Sequence, residues 1–507
     1  MFRKNKKILA TITFVLALVL TACGGVAENT DRLVVAQNAD AMSLDPHGAN
    51  EASSSLVLTQ IFETLLILDE DRNIVPGLAT SYELLPDNVT YEFKLRDDVY
   101  FHNGEKMTAA DVAFTFDRAA KSPTVAHIVG QIDPDGIEIL DDYTIRIATL
   151  EPYAPFLANL THSAASIMNE KAVLEAGELV GREPIGTGPF KFVNWDPGSE
   201  IEMERFNDYH GEMPVYSELV IRAISENSSR TMELETKEVD ISLNVPATDI
   251  ERIDGDSDLT LLREENFTTQ HIGFNQDKEP FNNVLVRQAI NYAVNVELIH
   301  ETILNGVGSI ATGPVNTNVW GSRADLTGYE YDLEKARELM AEAGYADGFT
   351  TEIWTSDSGT GPMIVEAVAS QLREIGITAQ ILPMEWGAYI DALSEGEHEM
   401  YIMAWGAVTG DADYGLYPLF HSSQGASAGN RTYFANDRVD ELLDIARSTV
   451  DEEIRLEAYA EIQEIVLNEA PWLFLVTGET LIGTQSNVRG FRINPSGQHR
   501  FAGVYFE

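Results

Sequence analysis

The spacing of apolar residues predicts a strand–turn–helix unit in the first quarter of the chain. Apolar side chains recur at every second position in two short runs, Tyr91, Phe93 and Leu95 and then Val99 and Phe101. This alternation is typical of half-buried strands. Thr108 and Asp111 then form a capping-box pattern ahead of apolar residues at helical spacing. We therefore expect two strands and a helix over residues 90–120.

A second unit, over residues 361–382, has the order helix then strand. Ile364, Val368 and Leu372 recur on one helical face, Gly376 ends the helix, and an apolar strand follows it. Elsewhere the spacing predicts an opening strand and a strand after Pro189, and later three helices and a buried strand: 33–36, 190–193, 333–343, 439–450, 452–468 and 470–476. Helices alternating with strands favour an α/β fold.

The first twenty-three residues have the pattern of an export signal. Four basic residues precede an uncharged, mostly apolar run from Ile8 to Leu20, which is shorter than the ~20 residues that cross a bilayer. The run ends in Thr21-Ala22-Cys23-Gly24, which resembles the lipobox of bacterial lipoproteins. We expect a signal peptide over residues 1–22, a lipid on Cys23, and a tether over residues 23–32.

The composition of the chain limits the kinds of partner that we expect. The chain of 507 residues has one cysteine and a formal net charge of −47. The single cysteine excludes an intramolecular disulfide. A surface of this charge repels nucleic acid and anionic lipid head groups, so we expect no nucleic-acid partner and membrane attachment only through the lipid.

No catalytic or metal-binding pattern stands out. Zinc and Walker motifs are absent, so we expect no cofactor and no metal. Gly425–Gly429 fits GxSxG around Ser427, but its surroundings are loop residues, and a nucleophile elbow needs a strand and a helix. Gly186–Phe190 lacks the lysine of a phosphate loop and predicts a structural turn. The sequence therefore argues against an enzyme.

Four segments, in this order behind a lipobox, resemble the extracellular solute-binding proteins of family 5, the peptide and nickel receptors of ATP-driven importers: Leu95–Gly104, Thr108–Phe114, Ile185–Phe190 and Phe281–Ala293. The resemblance covers nearly the whole chain after the leader. It implies an α/β, two-lobed clamp of the periplasmic-binding-protein type II with an extra inserted domain. It also implies a ligand held between the lobes and delivered to a permease with its ATPase.

The resemblance also implies a division of the chain. Lobe I takes residues 33–65, 185–275 and 478–507, the inserted domain residues 66–184, and lobe II residues 276–477. In this family the pocket draws on the loop after the first strand and on a late buried strand. The candidate ligand residues are therefore Asn38, Asp40, Met42, Met403 and Trp405, with Trp386 and Tyr389 in the loop 383–389.

One departure from the family pattern bears on the ligand. Peptide-binding members place an aspartate three residues after this tryptophan, where it neutralises the peptide amine, and here that position is Val408. The continuation through Thr409, Asp411 and Asp413 resembles the glutathione-binding branch. We expect a small peptide, glutathione-like or a di- or oligopeptide, with Asp411 or Asp413 as the amine anchor or as decoration of an acidic loop.

Within the same family, other roles stay open: a receptor that senses peptides without import, or a nickel- or haem-binding member. We expect a monomer on the outer face of the cytoplasmic membrane, which is the periplasmic side in a Gram-negative source.

Overall fold

The computed structural model of the chain describes residues 30–69, 72–129 and 131–507. The predicted signal peptide, Cys23 and most of the predicted tether lie outside these residues. Within the described part of the chain, no helix is both long enough and apolar enough to cross a membrane.

The structure mixes helices and strands throughout. The strands are β1 (Arg32–Gln37), β2 (Leu66–Leu68), β3 (Ile74–Pro76), β4 (Ala79–Leu84), β5 (Thr90–Leu95), β6 (Ile132–Asp141), β7 (Thr144–Thr149), β8 (Phe190–Asp196), β9 (Glu200–Arg205), β10 (Glu218–Ala223), β11 (Ile241–Ser242), β12 (Leu259–Phe274), β13 (Ser309–Ile310), β14 (Phe349–Ser356), β15 (Ile377–Met384), β16 (Met400–Gly406), β17 (Trp472–Gln485), β18 (Val488–Arg489) and β19 (Tyr505–Phe506).

The helices are α1 (Ala52–Ile61), α2 (Ala109–Ala120), α3 (Ala126–Val129), α4 (Phe156–Asn159), α5 (Glu170–Ala176), α6 (Asn227–Glu235), α7 (Ile250–Asp254), α8 (Val284–Ala293), α9 (Val296–Thr302), α10 (Leu333–Glu342), α11 (Gly361–Leu372), α12 (Trp386–Glu395), α13 (Ala412–Phe420), α14 (Asp437–Ser448) and α15 (Glu452–Glu469). Short 3-10 turns lie at Ser163–Ala165, Gly177–Leu179, Ala247–Asp249 and Arg373–Ile375.

One eleven-stranded sheet runs through the molecule in the order β15-β14-β16-β12-β17-β11-β1-β10-β9-β8, with β13 on β17. Its two central strands are long and antiparallel. The first half of β12 pairs with the second half of β17, beside β11, and the second half of β12 pairs with β16. The β12–β17 register shifts between Glu265 and Thr269. The two lobes are therefore joined by one continuous pair of strands with an irregularity at its middle.

The strand predicted over residues 470–476 is buried on both faces, as expected. In β17, Leu473 and Leu475 pack into one core of the second lobe, and Trp472 and Phe474 pack into the other. Alternate residues of a strand point to opposite faces, so a strand between two cores has apolar residues at every position.

A separate four-stranded antiparallel sheet, in the order β4-β5-β7-β6, belongs to the segment between residues 65 and 167, which has its own core. Helix α2 packs on it. The backbone N–H of Thr108 donates to the Asp111 carboxylate at 3.0 Å, which confirms the predicted capping box. The strand predicted at Val99 and Phe101 is wrong. That segment folds back on itself, with Phe101 N–H donating to the Glu105 carbonyl at 2.8 Å.

The glycine-rich segment after Ile185 is a structural turn, as predicted. A Cβ on Gly186 would lie 2.0 Å from the Ile61 carbonyl oxygen, so only glycine fits there. The Gly188 N–H donates to that same carbonyl at 2.8 Å, and Gly188 in turn accepts a contact of 2.9 Å from the His102 ring. The turn thus ties helix α1 to the inserted segment.

Beside this turn lies a buried carboxyl, Glu63. It accepts hydrogen bonds from the Thr187 hydroxyl at 2.9 Å and from the Tyr209 hydroxyl at 3.0 Å. Burial raises the pKa of Glu63 to about 7, because desolvation outweighs these hydrogen bonds.

The raised pKa of Glu63 predicts a pH dependence of stability. A raised carboxyl pKa favours the protonated native state, so this contribution is full below about pH 4 and is lost as the pH rises through about 7. We expect the native chain to lose about 3 kcal/mol of unfolding free energy from this group across that window. Glu63→Gln should remove this loss, as measured by urea unfolding at a series of pH values.

The matched control is Glu212→Gln, at an exposed position, which should leave the pH dependence as in the parent chain. An unchanged pH dependence in Glu63→Gln would contradict the prediction.

Candidate functional site

A cavity of about 220 Å³ lies between the two lobes. On one side it is lined by the start of α1, by the inserted segment and by the C-terminal segment. On the other side it is lined by the end of β16 and the residues that follow. The lining residues are Asn50, Ala52, Ser55, His162, Ser496, Gly497 and Gln498 on the first side, and Ala404, Trp405, Gly406, Val408 and Tyr414 on the second. None of these side chains carries a formal negative charge.

Beyond Tyr401, no strand among the described residues pairs with the outer edge of β16, which lies at this cavity. Its neighbour β14 pairs with it only at Met400 and Tyr401. On the other side, the Ala407 N–H donates to the Phe267 carbonyl at 3.0 Å. Antiparallel ladders alternate, so the backbone groups of Ala404 and Gly406 turn away from β12 and toward the open edge. An extended chain could add to this edge as a strand.

Trp405 forms one wall of the cavity. Its indole N–H donates to the Tyr414 carbonyl at 2.8 Å, and the two rings lie 5.8 Å apart, centre to centre. The side chain is half-buried. The hydrogen bond fixes the ring, so its remaining surface is a preformed apolar face.

The candidates after the first strand lie outside the lining of this cavity. Asp40 accepts from the indole N–H of Trp195 at 3.1 Å and from the Gly198 N–H at 2.6 Å, so its carboxylate fastens a loop. Asn38 accepts from the Asn244 amide at 3.3 Å. The Met42 side chain is 76% exposed.

The candidates around Trp386 also lie elsewhere. The predicted loop over residues 383–389 is wrong, because β15 extends to Met384 and α12 begins at Trp386. The Glu385 carboxylate caps that helix by accepting from the Gly387 N–H at 2.9 Å. Tyr389 is 1% exposed, and its hydroxyl donates to the Ile402 carbonyl at 2.6 Å. Met403 packs in the same small cluster, and Trp386 is 54% exposed.

Asp411 is part of a buried ion pair. Its carboxylate accepts from the Arg455 guanidinium at 2.7 Å and from the Tyr459 hydroxyl at 3.4 Å. It also caps α13 by accepting from the Asp413 N–H at 2.9 Å. Thr409 is 2% exposed, and its hydroxyl accepts from the Asp411 N–H at 3.4 Å. Asp411 is therefore already neutralised within the protein.

Asp413 is buried beside Arg447, with 3.2 Å between Oδ1 and Nε. Burial raises the pKa of Asp413 to about 6, and the guanidinium of Arg447 partly offsets that rise. Val408, not either aspartate, contacts the cavity.

Arg447 also connects the second lobe to the inserted segment. Its guanidinium donates to the Tyr153 hydroxyl at 3.2 Å, and its backbone carbonyl accepts from the Ala154 N–H at 2.7 Å. The guanidinium stacks on the Tyr417 ring, 3.6 Å from its centre. These contacts bridge the two sides of the cleft.

Sequence reasoning missed the residues on the lobe I side of the cavity. Asn50 lies a few residues beyond the predicted loop, whereas His162 and Ser496–Gln498 come from distant parts of the chain. The His162 ring accepts from the Ala164 N–H at 3.1 Å and so caps a 3-10 turn. No local pattern marks these positions, since only the fold brings them together.

Among the described residues, no group of three or more histidine, cysteine, aspartate or glutamate side chains could hold a metal ion. Ser427 lies in a segment without strand or helix, so the nucleophile-elbow geometry is missing there.

A family described as bacterial extracellular solute-binding proteins, family 5, middle region, matches residues 73–427. The glutathione-binding protein GsiB of Pectobacterium atrosepticum is 30% identical over 473 residues, which cover 91% of this chain and 91% of that protein.

Two solved structures share the fold. The ABC transporter-associated periplasmic binding protein DppA from Helicobacter pylori, in complex with the peptide STSA, has a TM-score of 0.82 and 31% identity, covering 94% of this chain and 98% of that chain. HbpA2 from Haemophilus parasuis has a TM-score of 0.84 and 28% identity, and the match covers 94% of this chain and 100% of that chain. These similarities confirm the predicted fold class, an α/β two-lobed clamp.

The buried pair of Asp411 and Arg455 predicts a stability effect. Asp411→Asn leaves the Arg455 guanidinium buried without a counter-charge, and both side chains are only 8% exposed. We expect the free energy of unfolding to fall by about 3–5 kcal/mol, measured by urea unfolding.

The control is Asp325→Asn, which breaks an ion pair with Arg323 in which the aspartate side chain is 74% exposed. That variant should lose less than about 1 kcal/mol. If Asp411→Asn loses no more unfolding free energy than the control, Asp411 does not act as the buried partner of Arg455. Asp411 would then again be a candidate anchor for the ligand amine.

Proposed function

Because the chain belongs to the bacterial extracellular solute-binding proteins of family 5, we propose that it captures a small peptide of the glutathione or dipeptide kind. The peptide is held between the lobes and delivered to the permease of an ATP-driven importer. The chain is a receptor and not an enzyme. One observation carries the choice of a peptide: the unpaired β16 edge at Ala404 and Gly406 opens into the interlobe cavity beside Trp405.

The open edge of β16 suits the backbone of a peptide, and the Trp405 ring suits its apolar surface. Backbone N–H and C=O groups of a ligand strand pair with the backbone of β16, whatever the side chains are. The Trp405 face and Val408 take up apolar ligand surface. The relatives' names support this choice, since one is called a glutathione-binding protein and another structure holds the peptide STSA.

Closure of the clamp follows from contacts made on both sides of the cleft. A ligand shifts the protein toward the closed state only as far as it interacts differently with the open and closed states. The contacts of Arg447 with Tyr153 and Ala154 cross the cleft, and we infer that opening of the clamp breaks them. They act together with the ligand to hold the lobes.

A lipid on Cys23 gives this receptor its place on the outer face of the cytoplasmic membrane. A tethered clamp stays close to its permease, whereas an untethered one would diffuse away from a cell without an outer membrane. One acyl chain anchors only marginally, so stable attachment needs more than one. We further propose that the receptor works as a monomer.

The name of a relative, an ABC transporter-associated periplasmic binding protein, supports import over sensing. The cavity lining favours a peptide over nickel or haem. Among the described residues that line the cavity, His162 is the one histidine, and there is no cysteine, aspartate or glutamate. Loss of peptide uptake in cells whose permease gene is deleted would separate import from sensing.

The test is a binding screen on the mature chain with glutathione, dipeptides and Ni²⁺. A peptide at 100 times its dissociation constant should add about 2.7 kcal/mol to the free energy of unfolding. Trp405→Ala should weaken that binding by about tenfold or more, equivalent to about 1.4 kcal/mol, because an apolar wall of the cavity is lost. Urea unfolding with and without the peptide measures the gain in stability, and isothermal titration calorimetry measures the loss of affinity.

Trp386→Ala is the matched control, because that ring is exposed on α12, away from the cavity. Its affinity should equal that of the parent chain. If Ni²⁺ stabilises the chain and no peptide does, the proposal is wrong. If Trp386→Ala loses affinity and Trp405→Ala does not, the site lies at α12 instead.

The hydrogen bond between Arg447 and Tyr153 gives a second prediction. Tyr153→Phe removes the hydroxyl that accepts from Arg447, while Asn159 keeps its other partner, the Ile128 carbonyl at 2.8 Å. A lost closed-state hydrogen bond of about 0.5–1.5 kcal/mol should raise the dissociation rate of the peptide about two- to tenfold.

Stopped-flow fluorescence of the tryptophans measures that rate. A purely structural role of Tyr153 would instead lower the free energy of unfolding and leave the dissociation rate unchanged.

A further inference from the structure

The interlobe cavity offers a ligand apolar and polar contacts but no negative charge. Its aromatic and apolar wall is formed by Trp405, Tyr414 and Val408, and its polar groups include the uncharged amides of Asn50 and Gln498. Among the described residues that line it, there is no aspartate or glutamate. In a chain with 81 acidic residues, this lining is a selective feature of the cavity and not a consequence of composition.

The acid next to the lobe I wall is Glu51, between the lining residues Asn50 and Ala52. Its carboxylate accepts from the Ser54 N–H at 3.2 Å and from the Met42 N–H at 3.1 Å. Glu51 therefore caps the start of α1 and fastens the loop after β1.

The acids closest to Val408 on the other wall also have partners inside the protein. Asp411 lies 2.7 Å from the Arg455 guanidinium, and Asp413 lies 3.2 Å from that of Arg447. The carboxylates that flank the cavity in the sequence are thus engaged by α1, Arg455 and Arg447, and the cavity itself presents the isopropyl group of Val408.

The amino end of an ordinary peptide is an ammonium group. An ammonium group that leaves water without meeting a counter-charge pays a large desolvation cost. Acylation removes this charge and turns the amino end into an amide, which a hydrogen-bonding neighbour can satisfy completely.

An acylated amino end suits the surface that the cavity presents. The backbone groups of Ala404 and Gly406 turn toward the open edge of β16, where the N–H and C=O groups of a ligand amide can pair with them. Val408 is half-buried and lies just beyond this edge. The hydrocarbon part of an acyl group can pack against Val408 and the Trp405 ring.

We propose that the receptor selects peptides whose amino end is acylated, and that the uncharged amide of this end lies at the β16 edge beside Val408. This inference rests on the proposed function and specifies its substrate class. Glutathione belongs to the class, because its Cys-Gly part is acylated by the side-chain carboxyl group of its glutamate. A dipeptide with a free amino end does not.

The test compares free and acylated amino ends by isothermal titration calorimetry on the mature chain. The probes are Ala-Ala with N-acetyl-Ala-Ala, and Cys-Gly with glutathione. The parent chain should bind the acylated member of each pair about tenfold or more tightly, because the free ammonium group meets no counter-charge in the cavity.

Val408→Asp supplies that counter-charge and should reverse the order, so that Ala-Ala binds more tightly than N-acetyl-Ala-Ala. Val408→Asn has the same shape without the charge, and it should weaken both forms without reversing their order. Val215→Asp adds the same charge at a position that is 65% exposed and does not line the cavity, and it should keep the order of the parent chain.

Equal affinity for both members of each pair, or tighter binding of the free amine by the parent chain, would overturn the acylated class while leaving a peptide receptor. That comparison decides the matter even if Val408→Asp does not fold. A folded Val408→Asp variant that keeps the order of the parent chain would also overturn the inference, since the amino end would then not lie beside Val408. If none of the four probes binds, the proposed function falls as well.

Discussion

The pairing of β12 with β17 is the constraint on which the rest of the molecule depends. These two strands are the ones through which the sheet passes from the first lobe to the second. Their outer neighbours are β11 on one side and β16 on the other, so the same ladder positions both halves of the cleft. The register shift between Glu265 and Thr269 lies at the middle of this pair, where fewer regular hydrogen bonds hold the strands. A long two-stranded connection with a local irregularity is well suited to bend without breaking.

Charge and burial divide the acidic residues of this chain into two classes. Most lie on the surface and account for the net charge of −47. A few are buried, and each of these has an internal partner, as Asp411 has Arg455 and Glu63 has Thr187 and Tyr209. A buried carboxylate must be paired or neutralised, so these groups interact with partners inside the protein.

Most of the elements that local patterns predicted are present in the structure. The capping box at Thr108, the helix ended by Gly376, where φ is 82°, and the doubly buried strand after Pro471 all follow from residues close together in the chain. The strand expected at Val99 and Phe101 did not form, although both side chains are fully buried. Burial alone produces the same alternation as a strand, and here the backbone bonds are closed by a local turn to Glu105. The loop expected at Trp386 became a helix because Glu385 caps it.

The candidate site shows more clearly what local sequence patterns do not predict. Trp405 and Val408 both line the interlobe cavity, so the position where the family's amine anchor is missing does face that cavity. Asp40, Asp411 and Tyr389 have the right chemistry for a site, yet their partners, Trp195, Arg455 and Ile402, lie far away in the chain or on another element. Periodicity and capping are properties of a few consecutive residues, so the amino-acid order determined the helices, the strands and the α/β class. Which polar groups are left to meet a ligand depends on long-range partners, and that was decided only when the tertiary structure brought Asn50, His162 and Ser496 to the same cavity.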